Sequence, residues 1–259
     1  QHAATAEGYT AEMEMTMKVS MEGGSVDMAM TGQVEAFTNP MKVHTTMQIN
    51  SMGESTGMHQ YIVDNGGALD VYTRTVAGEF DSGWGHTAST ADEIVNSYDI
   101  QASMDIYARN ADSFELKGEE TVQDRACYKY TGLIAGSSLA EVLKATMSDL
   151  GLSAGLDGDE TMELISSGLD GSSDMPVSIW IDKENNAPLR YTMDMTSVLS
   201  SIFASLLDGP AGGVPAMTVE GCYLRMDITS MNQTMNFDLP ADINATAAPL
   251  EEGTLEPLE

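Results

Sequence analysis

Two serines stand in the G-x-S-x-G spacing of a nucleophile elbow, in GESTG at Gly53 to Gly57 and in GLSAG at Gly151 to Gly155. An elbow works because a strand delivers the serine to a sharp turn, a helix leaves it, and a histidine later in the chain takes its proton. Neither context fits. Ser153 follows a predicted helix and no histidine lies beyond His86, while Ser55 reads as part of a turn between two strands with no helix after it. GWGHTA at Gly83 to Ala88 matches G-x-G-x-x-A, but its flanks read as antiparallel strands and not as the parallel βαβ unit a dinucleotide requires. DGDETMELISSG opens like a calcium loop with Asp157 and Asp159, yet Met162 takes the place of the turn glycine and Gly168 that of the bidentate glutamate. His2, His44, His59 and His86 form no H-E-x-x-H, and there is no C-x-x-C, so zinc has no support in the spacing. Among 40 acidic residues nothing singles out a glycosidase pair. The expectation is a protein that is not an enzyme and uses no cofactor or metal.

The positions that do form a pattern are apolar. In EMEMTMKVSM, Glu12 to Met21, residues Met13, Met15, Met17, Val19 and Met21 alternate with polar neighbours. Period two places one set on one face of a strand, which a helix cannot do. Methionine is a weaker strand former than valine, isoleucine or tyrosine, so propensity does not explain its use. Its unbranched thioether side chain refills irregular space and suits either a loosely packed core or an adaptable wall around an apolar ligand. Met28, Met30, Met47 and Ile49 continue the pattern on the strands that follow.

Bulk charge narrows the partners. With 11 Lys and Arg against 40 Asp and Glu, the net charge of -29 repels phosphate backbones, which excludes nucleic acid. A composition 42% hydrophobic supports a sizeable core, and one domain is expected. QHAATAEG at residues 1–8 reads as a linker left after a signal peptide or anchor, residues 9–245 as the domain, and 246–259 as a disordered acidic tail. No run approaches the roughly 20 apolar residues of a membrane span. Cys127 and Cys222 could pair, since an exported chain meets an oxidising compartment. Asn232 and Asn244 begin N-x-T sequons but read as loop or strand residues.

The elements that must position the methionines follow from turn signals. Strands alternate through the first 80 residues, with turns at EGGS, TNP and Asn65 to Gly67. A helix, possible N-cap Ser89 or Thr90, is predicted after Trp84, then a hairpin turning near Gln123 to Ala126. Ser138 and Glu141 form a capping box on a helix stopped by Gly151, and a short helix follows Asp159 towards Gly168. A hairpin over PVSIWIDKENNAPLRYTMDM, an apolar helix from Ser197 to Leu207 and a pair of strands from Val219 to Leu239 complete the chain. This order predicts an α+β, mostly antiparallel fold: one large sheet wrapped around inserted helices.

The segment Met175 to Met195 resembles the late hairpin of LolA-like bacterial lipoproteins, the superfamily of the LolA and LolB carriers and the LppX and LprG type, through Trp180, Ile181, Asp182, Pro188 and Arg190. GEETVQDRACYKYTG is similar to that family's preceding hairpin, and the likeness in element order covers residues 9 to 245. The resemblance implies an incompletely closed half-barrel holding helices in its hollow, with a lipid or other apolar molecule bound there in some members. It also implies an exported, surface-anchored lipoprotein of a Gram-positive bacterium, although no cysteine precedes Cys127 to carry such an anchor. The expected ligand wall is Met13, Met15, Met17, Met28, Met30, Met47 and Ile49, faced by Ile202, Phe203 and Leu206 from the apolar helix, in a monomer. The alternative is a structural or interaction module with a filled core.

Overall fold

The computed structural model describes residues 8–21, 24–38, 40–66, 68–89, 107–135, 174–208, 217–232, 237–243 and 248–249. Its strands are β1 (Gly8–Met21), β2 (Gly24–Thr38), β3 (Met41–Ser51), β4 (Glu54–Asp64), β5 (Leu69–Ala77), β6 (Phe80–Asp81), β7 (Gly85–Ser89), β8 (Glu115–Val122), β9 (Arg125–Ile134), β10 (Met175–Asp182), β11 (Pro188–Asp194), β12 (Met217–Met231) and β13 (Ala248–Pro249). Among the described residues the helix α1 (Thr196–Asp208), a helical end at 107–109 and a 3-10 turn at Ala111–Ser113 accompany them.

The 13 strands form one sheet in the order β13-β7-β5-β4-β3-β2-β1-β12-β11-β10-β9-β8, with β6 beside β5. Every pairing is antiparallel except β13 on β7. The ends of the order do not meet, so the curved sheet is an open half-barrel. Tight turns set its registers. Met52 and Gly53 between β3 and β4, and Gln123 and Asp124 between β8 and β9, all have positive φ, the two-residue geometry whose twist matches that of the strands it joins. Register shifts at Thr10/Ala11 and Lys18/Val19 on β1 and at Trp180/Ile181 on β10 are bulges, which add local twist and bend the sheet.

The core lies on the inner face, where α1 packs. Asp194 Oδ1 accepts the Thr196 amide at 3.1 Å, satisfying a donor of the first helical turn, and Thr196 Oγ1 accepts the Cys222 amide at 2.9 Å. The first bond ties the start of α1 to the end of β11, the second to β12. Val198 is fully buried, and Leu199, Ile202 and Phe203 complete an apolar stripe against the sheet.

The meander, both hairpins and the apolar helix stand as expected. Three details differ. Ser55 lies within β4 just past its turn, and the chain after β12 adds no strand over residues 237–240. There Phe237 wedges instead against Tyr61 and His44, with ring centroids 5.9 and 5.6 Å away, so side-chain packing takes the place of a ladder. Ala248 and Pro249, from the segment read as tail, pair with Gly85 and His86. Residues 107–109 are helical, while the rest of the helix read after Trp84, those read at 138–151 and 159–168, and the calcium-like loop fall outside the described residues.

Candidate functional site

Directly opposed residues of antiparallel strands share a face, with Cβ atoms about 4.5–5.5 Å apart. The register therefore places the expected wall. Met17 lies between Met28 of β2 and Cys222 of β12; Met15 lies between Met30 and Leu224; Met13 lies between Gly32 and Met226. On β3, Ile49 is opposite Met30 and Met47 opposite Gly32. Met13, Met30 and Met47 belong to the inner core, with Met15, Met17 and Ile49 packed against it together with Ile202 and Phe203 of α1. Met28 shares this face through its register with Met17. Leu206 lies on α1, but its side chain is outside the described residues. Met58, Met193 and Met226 complete the thioether-rich face and were legible only through pairing, because strand register, not alternation, brings them there.

Over Gly32 the packing is close. A Cβ built there would lie 3.2 Å from Met47 Cγ and 3.4 Å from Met13 Cε, so side chains from β1 and β3 converge above β2. Only a residue without a side chain leaves them that room.

Burial is graded along the strands. Met13, Met30 and Met47 are 4–5% exposed, and Val34, Ala36 and Val43 beyond them are closed off. Towards the β1–β2 and β3–β4 turns, Met15, Met17, Met28, Ile49 and Met58 are all half-buried. The inner face is thus tightly packed at one end and looser towards the other, where Val19 and Val219 are again buried. On the opposite, outer face at that end a groove of about 650 Å³ is lined by Thr16, Lys18, Asp27, Ala29 and Tyr223, with Met17 and Met28 between them on their strands. Deep on the inner face, Thr45 Oγ1 is buried without a hydrogen-bond partner among the described residues.

The outer face is polar and holds the sheet in register. Arg190 and Asp227, opposed on β11 and β12, form a bidentate pair, with Nη2 to Oδ2 at 2.9 Å. Glu120 accepts the Trp180 indole N–H at 2.8 Å, and Lys129 and Arg190 lie over that ring at 4.8 and 5.9 Å. Asp182, 1% exposed, pairs with Arg125 and accepts the Glu184 amide at 2.9 Å. The residues that carry the LolA-like resemblance therefore form a structural clamp.

Cys127 and Cys222 are both free thiols, which corrects the expected bridge. Cys222 sits in the inner core, Cys127 in the outer cluster with Trp180, Val122 and Leu189. Two strands, β10 and β11, separate their strands by roughly 14 Å at ordinary strand spacing, and the register running through Lys129, Trp180, Arg190 and Asp227 offsets the two cysteines further along the strands, whereas a disulfide tolerates about 7 Å between Cα atoms. Burial pushes the Cys222 thiol up to about 11.

The elbow serine Ser55 donates to Asn50 and accepts from Gln48, both at 2.6 Å, with no base in that network. His44 stacks on Tyr61 and bonds Glu35, and His86 bonds Asp70 at 2.8 Å. Among the described residues no group of three His, Cys, Asp or Glu is placed to hold a metal, and no helix is long and apolar enough to cross a membrane.

Comparison with known structures finds similarity to lipoprotein LppX of Mycobacterium tuberculosis, at 13% identity and TM-score 0.39 over 88% of this chain and 89% of that one. LprF of Mycobacterium bovis is similar at 11% identity and TM-score 0.43, over 90% of each chain. A lipoprotein-sorting domain, described as putative outer membrane, from Vibrio parahaemolyticus is similar at 9% identity and TM-score 0.20, over 91% and 88%. No curated protein matches the sequence. The open antiparallel sheet with α1 on its inner face is the architecture that the LolA-like resemblance implies. The sequence itself matches the family of unknown function DUF6612 over residues 2–201, and the chain belongs to that family.

Proposed function

We propose that this protein is a non-enzymatic, exported lipoprotein of the cell envelope that holds a lipid or another apolar molecule against the inner face of its sheet. One observation carries the reading: the methionine wall passes from full burial at Met13, Met30 and Met47 to half burial at Met15, Met17 and Met28. A wall of flexible thioether chains that is less tightly packed along part of its length accepts chains of different shape. Each methylene buried against it contributes about 0.8 kcal/mol, so a few carbons suffice for measurable affinity. Ile202 and Phe203 of α1 cover the ligand from the helix side. The close packing at the other end favours a second reading, a module whose core is filled and which binds partners only by its surface.

Lipid extraction from natively purified protein, followed by mass spectrometry and titration of an apolar fluorescent probe, tests the proposal. Expected are a co-purifying apolar species, saturable probe binding, and affinity lowered roughly tenfold by Met28→Glu, the loss of a buried apolar contact to a charge. Absence of both cargo and saturable binding in the unaltered protein overturns it in favour of the filled module.

A further inference from the structure

A lipid wall needs only apolar side chains, and valine, isoleucine or leucine would supply them with equal or better strand propensity. What methionine adds is a soft sulfur donor. On the inner face Met15 is opposed to Met30 and Met17 to Met28, a two-by-two block of thioethers on adjacent strands. Cys222 lies across from Met17 on the other side. Opposed Cβ atoms lie about 5 Å apart, and the sulfur sits two bonds further out on a chain with three rotatable bonds, so sulfurs of opposed pairs can converge on one atom between them. Met15, Met17 and Met28 are half-buried and Met30 is buried behind them, so the block is reached from the Met17 and Met28 side.

We propose that Met15, Met17, Met28 and Met30 form a binding site for a soft monovalent metal ion, Cu(I) in particular. Thioether sulfur selects Cu(I) over hard or divalent ions, which prefer oxygen or imidazole. Four neutral donors do not offset the desolvation of a divalent charge, whereas a single charge asks less of them. The net charge of -29 raises the local cation concentration at the mouth. Binding releases no proton and requires no change of oxidation state. This site is independent of the apolar-ligand reading, although the two share a wall.

The test is anaerobic titration of the purified chain with Cu(I) against a chromophoric Cu(I) chelator, together with Ag(I) titration of protein carrying 13C-methyl methionine. One equivalent of Cu(I) is expected to be withdrawn from the chelator. Under Ag(I), the methyl resonances of Met15, Met17, Met28 and Met30 are expected to shift, while that of the outlying Met52, 77% exposed, stays in place. The double substitution Met17→Leu and Met28→Leu keeps the face apolar; it is expected to weaken Cu(I) binding roughly tenfold or more, with circular dichroism unchanged. No competition with the chelator, wild-type affinity in the double variant, or an Ag(I) response centred on residues outside the block would each overturn the site. The metal site is read by Cu(I) competition and the lipid reading by cargo and probe titration of the unaltered protein, so the two fail separately.

Discussion

At the scale of single residues, the two cysteines show how position overrides identity. Cys222 is opposite Met17 on the inner face, and Cys127 faces Asp182 and Glu120 on the outer one. Both are fully buried. A thiolate is the reactive species, and at Cys222 burial in apolar surroundings raises the thiol to about 11, so almost none is ionised at neutral pH. Native protein at pH 8 is therefore expected to leave both thiols unmodified by a disulfide reagent over the mixing time, and unfolded protein to titrate two. Modification of Cys222 at the rate of a free thiol in the folded state would contradict its burial; a mass deficit matching a disulfide would contradict the opposed faces.

At the scale of elements, one aromatic ring packs across the β8–β9 hairpin, which β9 also joins to β10 along the sheet. Phe114, just before β8, lies over Gly132 of β9, where an added Cβ would come within 2.6–2.8 Å of three ring atoms. Phe114 in turn meets Tyr107 edge-on at 6.4 Å, and Tyr107 stacks on Tyr191 of β11 at 5.3 Å. Gly132→Ala must displace the ring, because the carbon cannot be accommodated otherwise, and overpacking of this kind costs about 1–3 kcal/mol. Chemical denaturation is expected to show that loss as a lower midpoint at unchanged slope. A substitution within 0.3 kcal/mol of neutral would mean that the ring moves freely, roughly the scatter of ordinary surface changes. Gly132 has no positive φ, so the effect belongs to the close approach and not to backbone strain.

At the scale of the whole molecule, few cations are placed where they count. Lys18, Arg74, Lys117, Arg125, Lys129, Lys183, Arg190 and Arg225, eight of the 11 basic residues, are each ion-paired. Several of these pairs clamp neighbouring strands, as Arg225 on β12 does with Glu14 on β1 and Lys129 on β9 with Glu120 on β8. Exposed pairs of this sort contribute only about 0–1 kcal/mol each. The remaining carboxylates repel one another across the molecule, and that repulsion outweighs the pairs. Raising NaCl from about 0.01 to 0.15 M shortens the Debye length from roughly 30 to 8 Å and screens it. Thermal unfolding is accordingly expected to move to higher temperature over that range; a fall in Tm would show that the ion pairs dominate.

The sequence by itself determined the strands, their alternating faces and most of their turns, because period two, glycine turns and capping residues act within a few positions. It also determined that Met13, Met15, Met17, Met28, Met30, Met47 and Ile49 share one face, the inner one. Only the tertiary structure decided what lies across from what. The addition of Met58, Met193 and Met226 to that face, the separation of the two cysteines by the sheet, the uneven burial of the methionines, and the use of Phe237 as a wedge in place of a last strand all depend on contacts between residues far apart in the chain. Local propensity and periodicity carry no information about register between distant strands, and a shift of one residue exchanges the faces, so these features are fixed only when the sheet assembles.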